Sequence, residues 1–264
     1  MTDVLDSTRR SALFQAVEEV ARVCGDVALS HFRKSLSIEI KSDGSEVTRA
    51  DREAEAAARA TIRGLFPDDA IIGEELGSDG SGGRRWILDP IDGTRSFVRG
   101  VPMWGSLVAV EQDGEVIAGA INCPATGDFL VAARGEGCWH NGVRAAVSRV
   151  DAISKATILG TDQRFGRNPA RAPRWTALAN SVATARTWGD CYGYVLVATG
   201  RAELMVDDRM SPWDVAALIP VIEEAGGVFT DWKGRRGIGP DAVASNALLA
   251  RDFRAALGVP EGGA

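Results

Sequence analysis

The sequence predicts an α+β arrangement in its first half and an alternating α/β arrangement in its second half. Two observations support this. Two segments of helical periodicity precede a series of short apolar runs with tight-turn signals, as in helices packed on an antiparallel sheet. Beyond residue 150, apolar runs of strand length alternate with helical segments, as in layered α/β folds. We therefore predict one domain over residues 1–264, made of the halves 1–150 and 151–264.

The first half begins with two predicted helices. Apolar residues recur at near-helical spacing from Ser7 to Lys34, and an alanine-rich periodic segment runs from Asp51 to Leu65, before Pro67. Between the helices, SIEIK predicts a short strand and the polar segment KSDGSEVT predicts a loop. The apolar runs that then predict an antiparallel sheet are IIGEE, RWILDPI, SLVAVEQ, EVIAGAIN and DFLVAAR.

The second half alternates strands with helices. The predicted strands are ATILGT, TARTWG, AELMVD, GVFTDW and AVASNALLA. The predicted helices run from Arg174 to Val182, from Tyr192 to Ala198 and from Ser211 to Ala225. The last begins with Ser-Pro in the cap and first-turn positions and ends at Gly226-Gly227.

Composition and charge narrow the function classes. The chain has 30 basic and 36 acidic residues and a net charge of −6, which gives no bulk attraction to nucleic acid or to an anionic membrane. An anionic substrate would need a local reversal of sign, for which a metal ion is the obvious candidate. The four cysteines show no C-x-x-C spacing and predict free thiols. With no apolar signal segment and no membrane span, we expect a cytoplasmic protein.

The segment WILDPIDGTRSF places two carboxylates at the end of an apolar run. Asp89 and Asp92 flank a proline, where the chain must turn. One interpretation is a capping aspartate beside a surface aspartate. The other is a Mg²⁺ site at a strand end, with the amides of Gly93 and Thr94 as an adjoining anion site.

Other acids occupy similar positions at element ends. Glu74-Glu75 follow IIG, Asp214 lies in SPWDVAAL, and Asp51 lies in VTRAD. Asp51 and Asp214 are each also explained as first-turn acids that complement a helix dipole. Together, four segments that each present an acid beside apolar residues favour ligands converging on one site.

The same motifs resemble the inositol monophosphatase family of Mg²⁺-dependent, lithium-sensitive phosphatases. The resemblance is carried by IIGEE, WILDPIDGTRSF, WDVAALIPVIEEAGG, EVTRAD and the late ASN at residues 244–246. It implies a layered αβαβα sandwich, usually a homodimer, with two or three Mg²⁺ ions in the active site. The ions would neutralise the phosphoryl oxygens and stabilise the leaving alkoxide, without a phosphoenzyme.

The family's roles transfer to matching residues of this chain. The implied metal ligands are Glu74, Asp89, the Ile91 carbonyl, Asp92 and Asp214. Asp51 would support a weaker third ion, and Glu74 with Thr94 would orient the attacking water. The amides of Gly93 and Thr94 would bind phosphate.

Lys41 matches a lysine on the family's mobile loop; the alternative is a solvated surface residue. His31 and His140 lie outside the motifs, and we interpret them as surface or packing residues.

The leaving group is indicated by the segment TARTWGDCYGYVLVATGRAELMVDD. It resembles the subgroup that hydrolyses L-histidinol phosphate. Asp190 and Asp207 would pair with its ammonium and imidazole, and Trp188 or Tyr192 would face the ring. The alternative for Asp190 is a helix N-cap, and the family usually has glutamate in place of Asp207. The competing functions are an inositol-1-phosphate or broad sugar-phosphate phosphatase, and a non-catalytic regulatory binding protein.

Overall fold

The computed structural model describes residues 10–34, 38–40 and 46–261. Within them the layers follow the order helices, sheet, helices, sheet, helices, which confirms the predicted αβαβα sandwich. The α-helices of the described residues are α1 (Ala12–His31), α2 (Arg49–Leu65), α3 (Thr94–Val98), α4 (Ala172–Ala179), α5 (Asp190–Ala198), α6 (Pro212–Ala216), α7 (Leu218–Glu224) and α8 (Ala250–Leu257). None of them has the length and apolarity that a membrane span requires.

The first outer layer consists of α1 and α2. Ser11 caps α1, and its Oγ accepts the N–H of Phe14 at 3.1 Å, so the helix begins later than the predicted Ser7, which lies outside the described residues. The last three residues of the predicted loop KSDGSEVT form a short strand, and residues 41–45 of that loop lie outside the described residues. β1 (Ile38–Ile40) and β2 (Glu46–Thr48) form an antiparallel pair that leads directly into α2.

The first sheet has the order β10-β9-β8-β7-β6-β5-β3-β4. Its strands are β3 (Ala70–Gly73), β4 (Gly77–Asp79), β5 (Arg84–Asp92), β6 (Gly105–Gln112), β7 (Glu115–Cys123), β8 (Asp128–Ala133), β9 (Gly137–His140) and β10 (Val143–Arg144). The prediction of a wholly antiparallel sheet is wrong at one pair, because β3 and β5 are parallel. In this register Gly73 is opposite Leu88, so the carboxyl ends of the two strands bring Glu74 beside Asp89.

Both faces of this sheet are covered. On β6, Val108 and Val110 pack in the core beneath α1 and α2, whereas Leu107 and Ala109 belong to the core on the opposite face. Alternation between two buried faces explains why these strands are almost continuous apolar runs in the sequence.

The central layer contains α5, α6 and α7, which contact the first sheet. The single helix predicted from Ser211 to Ala225 is two helices, with Ala217 between them. Pro220 lacks the N–H that would bond to the carbonyl of residue 216, so a continuous helix is interrupted there. Gly119 of β7 permits close packing, because a Cβ there would lie 2.7 Å from the Ala217 carbonyl oxygen.

The second sheet has the order β12-β11-β13-β15-β14. Its strands are β11 (Thr157–Gly160), β12 (Thr184–Arg186), β13 (Leu204–Asp207), β14 (Gly227–Thr230) and β15 (Ala242–Asn246). The pairs of β11 with β12 and β13 are parallel, and the other pairs are antiparallel. Helices α4 and α8 cover its outer face. The strand predicted over AVASNALLA ends at Asn246, and a turn leads from it to α8 at Ala250.

Candidate active site

Three aspartates converge where β5 ends against α6. One carboxylate oxygen from each of Asp89, Asp92 and Asp214 lies within 4.8 Å of the others. Asp89 is buried, and Asp92 and Asp214 are half-buried. We refer to these residues, together with Glu74 at the end of β3, as the acidic floor. Glu74 lies close enough to raise the pKa of Asp89 by repulsion.

A bulge in β5 explains the spacing of the two motif aspartates. Side chains three residues apart on a regular strand point to opposite faces. Here Asp89 pairs with Leu107 and Asp92 with Gly105, so three residues on β5 span two on β6. The extra residue lets both carboxylates face the same side. Asp89 Oδ1 also accepts the Ile91 N–H at 3.0 Å, which fixes the turn.

Asp214 and Asp51 each begin a helix with a capping box. Asp214 Oδ2 accepts the Ser211 N–H at 2.7 Å, and Asp51 Oδ2 accepts the Thr48 N–H at 2.8 Å. The helix-start interpretation of both acids is therefore correct, and for Asp214 it coexists with a place in the acidic floor. Asp51 does not join the three-aspartate cluster, but its charge also raises the pKa of Asp89.

The acidic floor is electrostatically costly. Burial, followed by the charges of Glu74 and Asp92, raises the pKa of Asp89 well above its usual range. Burial also raises the pKa of Asp92 and Asp214, and Asp190 adds repulsion on both. Clustered buried carboxylates with only oxygen donors suit a hard cation such as Mg²⁺, which would offset their charge.

Gly93 and Thr94 connect the floor to the short helix α3. Gly93 has φ +84°, and a Cβ there would lie 3.1 Å from both the Asp190 Oδ2 and the Met103 carbonyl oxygen. This position therefore requires glycine for its conformation and its space. The Thr94 hydroxyl donates to the Ile91 carbonyl at 2.9 Å. Thr94, which is expected to orient the attacking water, therefore contacts the carbonyl that is expected to bind a metal ion.

A cavity of about 860 Å³ opens above the floor. Glu74, Gly93, Thr94 and Asp214 line it, as do the predicted substrate residues Asp190 and Asp207. We refer to Asp190 and Asp207 with Thr161 as the acidic wall.

The acidic wall is held by a chain of hydrogen bonds. Asp190 donates its N–H to Thr161 Oγ1 at 2.8 Å, and Thr161 also hydrogen-bonds to the Asp207 carboxylate. Tyr194 donates its hydroxyl to Asp207 at 2.8 Å. Burial raises the pKa of Asp190 to about 6, which the Arg95 charge opposes, and burial raises the pKa of Asp207 to about 7.

Asp190 is not the N-cap of α5. Gly189 occupies the N-cap, and Asp190 is the first helical residue, with φ +49° and its carboxylate beside Gly93. The N-cap alternative is therefore wrong. A non-glycine residue at positive φ is strained, and such strain is concentrated at functional sites.

Several other expected residues lie elsewhere. Neither Trp188 nor Tyr192 lines the cavity: Trp188 is 41% exposed, and the Tyr192 hydroxyl donates to Asp128. Lys41 lies outside the described residues. His31 pairs with Glu53 at 2.9 Å and His140 with Asp128 at 2.8 Å, and neither histidine lines the cavity.

Residues 161–167 form a side of the cavity that no motif predicted. Arg164 and Arg167 line the cavity, and Phe165 anchors the segment by packing its buried ring on Trp175 and Trp232. Asp208 accepts hydrogen bonds from this segment and from Arg171. In the sequence, the one sign of this side of the cavity is the concentration of arginine in TDQRFGRNPAR.

Comparisons with known proteins agree with the geometry. The model of the inositol monophosphatase family matches residues 9–258. The chain is 44% identical to the histidinol-phosphatase of Chlorobaculum parvum, over 92% of this chain and 96% of that protein. It is 39% identical to the histidinol-phosphatase of Mycobacterium tuberculosis, over 81% and 85%. Extragenic suppressor protein suhB from Bartonella henselae has the same fold, with a TM-score of 0.87 at 26% identity, over 94% of this chain and 98% of that one.

Proposed function

Because the chain belongs to the inositol monophosphatase family, we propose that it is a Mg²⁺-dependent phosphatase that hydrolyses L-histidinol phosphate to L-histidinol and phosphate. The observation that carries this proposal is the placement of a second pair of acids, Asp190 and Asp207, on the wall of the cavity above the acidic floor. Relatives named histidinol-phosphatase at 44% and 39% identity support it.

The acidic floor fits the metal that this chemistry needs. Glu74, Asp89 and the Ile91 carbonyl would hold one Mg²⁺, and Asp89, Asp92 and Asp214 a second, with Asp51 near a weaker third. When bound, the ions supply Lewis-acid stabilisation of the charge on the phosphoryl and leaving oxygens. The repulsion among the buried carboxylates supports this assignment, because cations would remove it.

The chain's own groups would place the reacting phosphate and water. The amides of Gly93 and Thr94, at the start of α3, would donate to phosphate oxygens. Glu74 and the Thr94 hydroxyl would orient the water that attacks phosphorus. Both residues line the cavity, as does Asp214.

The acidic wall would select the leaving group. Histidinol phosphate carries an ammonium and an imidazole, which Asp190 and Asp207 can bind with charge-assisted hydrogen bonds. Inositol offers only hydroxyls, which do not call for the additional charge that Asp190 brings. Carboxylates that are costly when alone become favourable when a substrate cation pairs with them.

Phosphate release from L-histidinol phosphate and myo-inositol 1-phosphate, measured side by side with Mg²⁺, tests the proposal. We expect a preference of about 100-fold in kcat/KM for histidinol phosphate, which corresponds to about 2.7 kcal/mol of transition-state discrimination. Comparable or reversed rates would favour the inositol or sugar-phosphate alternative. Absent turnover with both would favour the non-catalytic binding protein, and turnover that does not depend on Mg²⁺ would contradict the metal-dependent mechanism.

The proposal also includes properties that the family implies. We expect inhibition by Li⁺, a homodimer and a cytoplasmic location. Phosphate release at increasing Li⁺ and sedimentation of the purified chain test the first two directly.

A further inference from the structure

The buried carboxylate of Glu55 lies behind the turn that carries Glu74. Glu55 is on α2, and its side chain is 0% exposed. Its Oε2 accepts the N–H of Glu75 at 2.7 Å, and its Oε1 accepts the N–H of Leu76 at 3.2 Å. A buried carboxylate needs such partners, and in taking them from one turn it fixes the conformation of that turn.

Arg59 holds the far side of the same turn. It lies four residues after Glu55 on α2, and its Nε donates to Glu55 Oε1 at 2.7 Å. A terminal nitrogen of Arg59 donates to the Gly77 carbonyl. We call Glu55 and Arg59 the α2 clamp, since together they bind residues 75, 76 and 77.

The glycine of IIGEE is explained by this clamp. A Cβ on Gly73 would lie 1.9 Å from Glu55 Oε1, so a larger residue would displace the carboxylate. On the opposite side, the N–H of Glu74 donates to the Leu88 carbonyl at 3.2 Å, one residue before Asp89. The turn is therefore fixed both to α2 and to the strand that carries Asp89.

We infer that Glu55 is a positioning residue for metal binding, which holds the Glu74 carboxylate toward Asp89 by fixing the backbone of residues 75 and 76. The inference rests on the proposed function, in which Glu74 is a metal ligand. Groups that orient metal ligands from behind set metal affinity, and their loss weakens binding without removing a ligand. Glu55 would thus act on the metal only through Glu74.

Glu55→Gln tests the inference with Mn²⁺ as the probe. The amide keeps the size of the side chain, but its NH₂ group would face one of the two main-chain N–H donors. Glu111→Gln is the matched control, since Glu111 is also buried and pairs with Arg85 at 2.7 Å, at the end of β6 away from the floor. Mn²⁺ binding to metal-free protein is measured by calorimetry, and the Tm is measured in EDTA.

We expect Glu55→Gln to weaken Mn²⁺ binding by about 10- to 100-fold, while Glu111→Gln binds Mn²⁺ like the wild type. Unchanged affinity in Glu55→Gln, or an equal loss in both variants, would overturn the inference. If the wild type binds no Mn²⁺, the proposed function fails and the inference fails with it. If it binds Mn²⁺ but hydrolyses no phosphate monoester, only the proposed function fails.

Arg59→Lys provides a second test should Glu55→Gln not fold. Lysine keeps a cation near Glu55 but lacks the second nitrogen that reaches Gly77. We expect a smaller loss of Mn²⁺ affinity than for Glu55→Gln, and wild-type affinity would count against the clamp.

Discussion

The acidic floor and the acidic wall contain the same chemical groups but are built in different ways. In the floor, burial and then neighbouring carboxylates raise the pKa of Asp89, and main-chain N–H groups hold the carboxylates: Ile91 for Asp89, Ser211 for Asp214 and the more distant Cys191 for Asp92. In the wall, burial again raises the pKa of Asp207, but side chains distant in the sequence supply its hydrogen bonds, from the hydroxyls of Tyr194 and Thr161. We therefore expect the floor to hold cations with or without substrate, and the wall to pair with a cation only when substrate binds.

Asp92→Asn should give the largest effect, because it removes a charge from the floor. The variant keeps the shape and can still accept the Cys191 N–H. We expect kcat to fall by about 10³-fold, equivalent to about 4 kcal/mol of transition-state stabilisation. In EDTA the Tm should rise, since a repelling carboxylate has been removed.

The control for this prediction is Asp113→Asn, an exposed aspartate between β6 and β7. This variant should leave both kcat and the Tm in EDTA unchanged. Near-normal turnover of Asp92→Asn would contradict the role of the floor in metal binding.

Asp190→Asn should separate the wall from the floor. We expect KM for histidinol phosphate to rise by about 10-fold, from the loss of about 1.5 kcal/mol in one charge-assisted hydrogen bond. KM for p-nitrophenyl phosphate, which has no cationic group, should change by less than about twofold. Equal effects on the two substrates would mean that Asp190 acts on the floor, next to Asp92, and not on the leaving group.

The difference in construction also explains what the sequence could predict. Most of the floor depends on two short motifs, WILDPIDGTRSF and SPWDVAAL, whose turns and caps are local. One strand pair brings Glu74 beside Asp89, and the contact of Asp92 with the Cys191 N–H, across 99 residues, is the exception. The wall depends on contacts between residues far apart in the chain. Thr161 accepts the Asp190 N–H across 29 residues, and the Tyr194 hydroxyl donates to Asp207 across 13. No local pattern marks such contacts, and the alternation of TARTWG with a helix did not show that Asp190 begins α5 at positive φ.

Asp207 should make stability depend on pH in metal-free protein. Its pKa is raised by burial to about 7, so the folded state favours the protonated acid. The stabilisation that Asp207 contributes is complete below about pH 4, where its carboxyl is protonated in both the folded and the unfolded state. This stabilisation is lost as the pH rises through about 7. The free energy of unfolding of the wild type, relative to Asp207→Asn, should therefore fall by about 4 kcal/mol between pH 4 and pH 8 in EDTA.

Asp231→Asn provides a control of opposite sign. Asp231 is buried, which raises its pKa, but hydrogen bonds from Arg235 and Lys233 outweigh burial and lower it. The contribution of Asp231 to the free energy of unfolding is present above the pKa of the unfolded state and is lost as the pH falls. A flat difference between the wild type and Asp207→Asn would show that the Asp207 carboxylate is not buried in solution.

The aromatic residues next to the wall should give the smallest effects. Tyr192 bonds to Asp128, and Trp188 exposes 41% of its side chain, although its neighbours Thr187 and Gly189 line the cavity. We therefore expect Trp188→Ala and Tyr192→Phe to change KM for histidinol phosphate by less than about twofold, because neither ring lies on the cavity wall and stacking on a cation contributes about 0.5–1 kcal/mol at exposed sites. A KM that rises about 10-fold in Trp188→Ala alone would mean that the indole moves onto the imidazole when substrate binds. Trp188 would then join the acidic wall when substrate binds, as the sequence predicts.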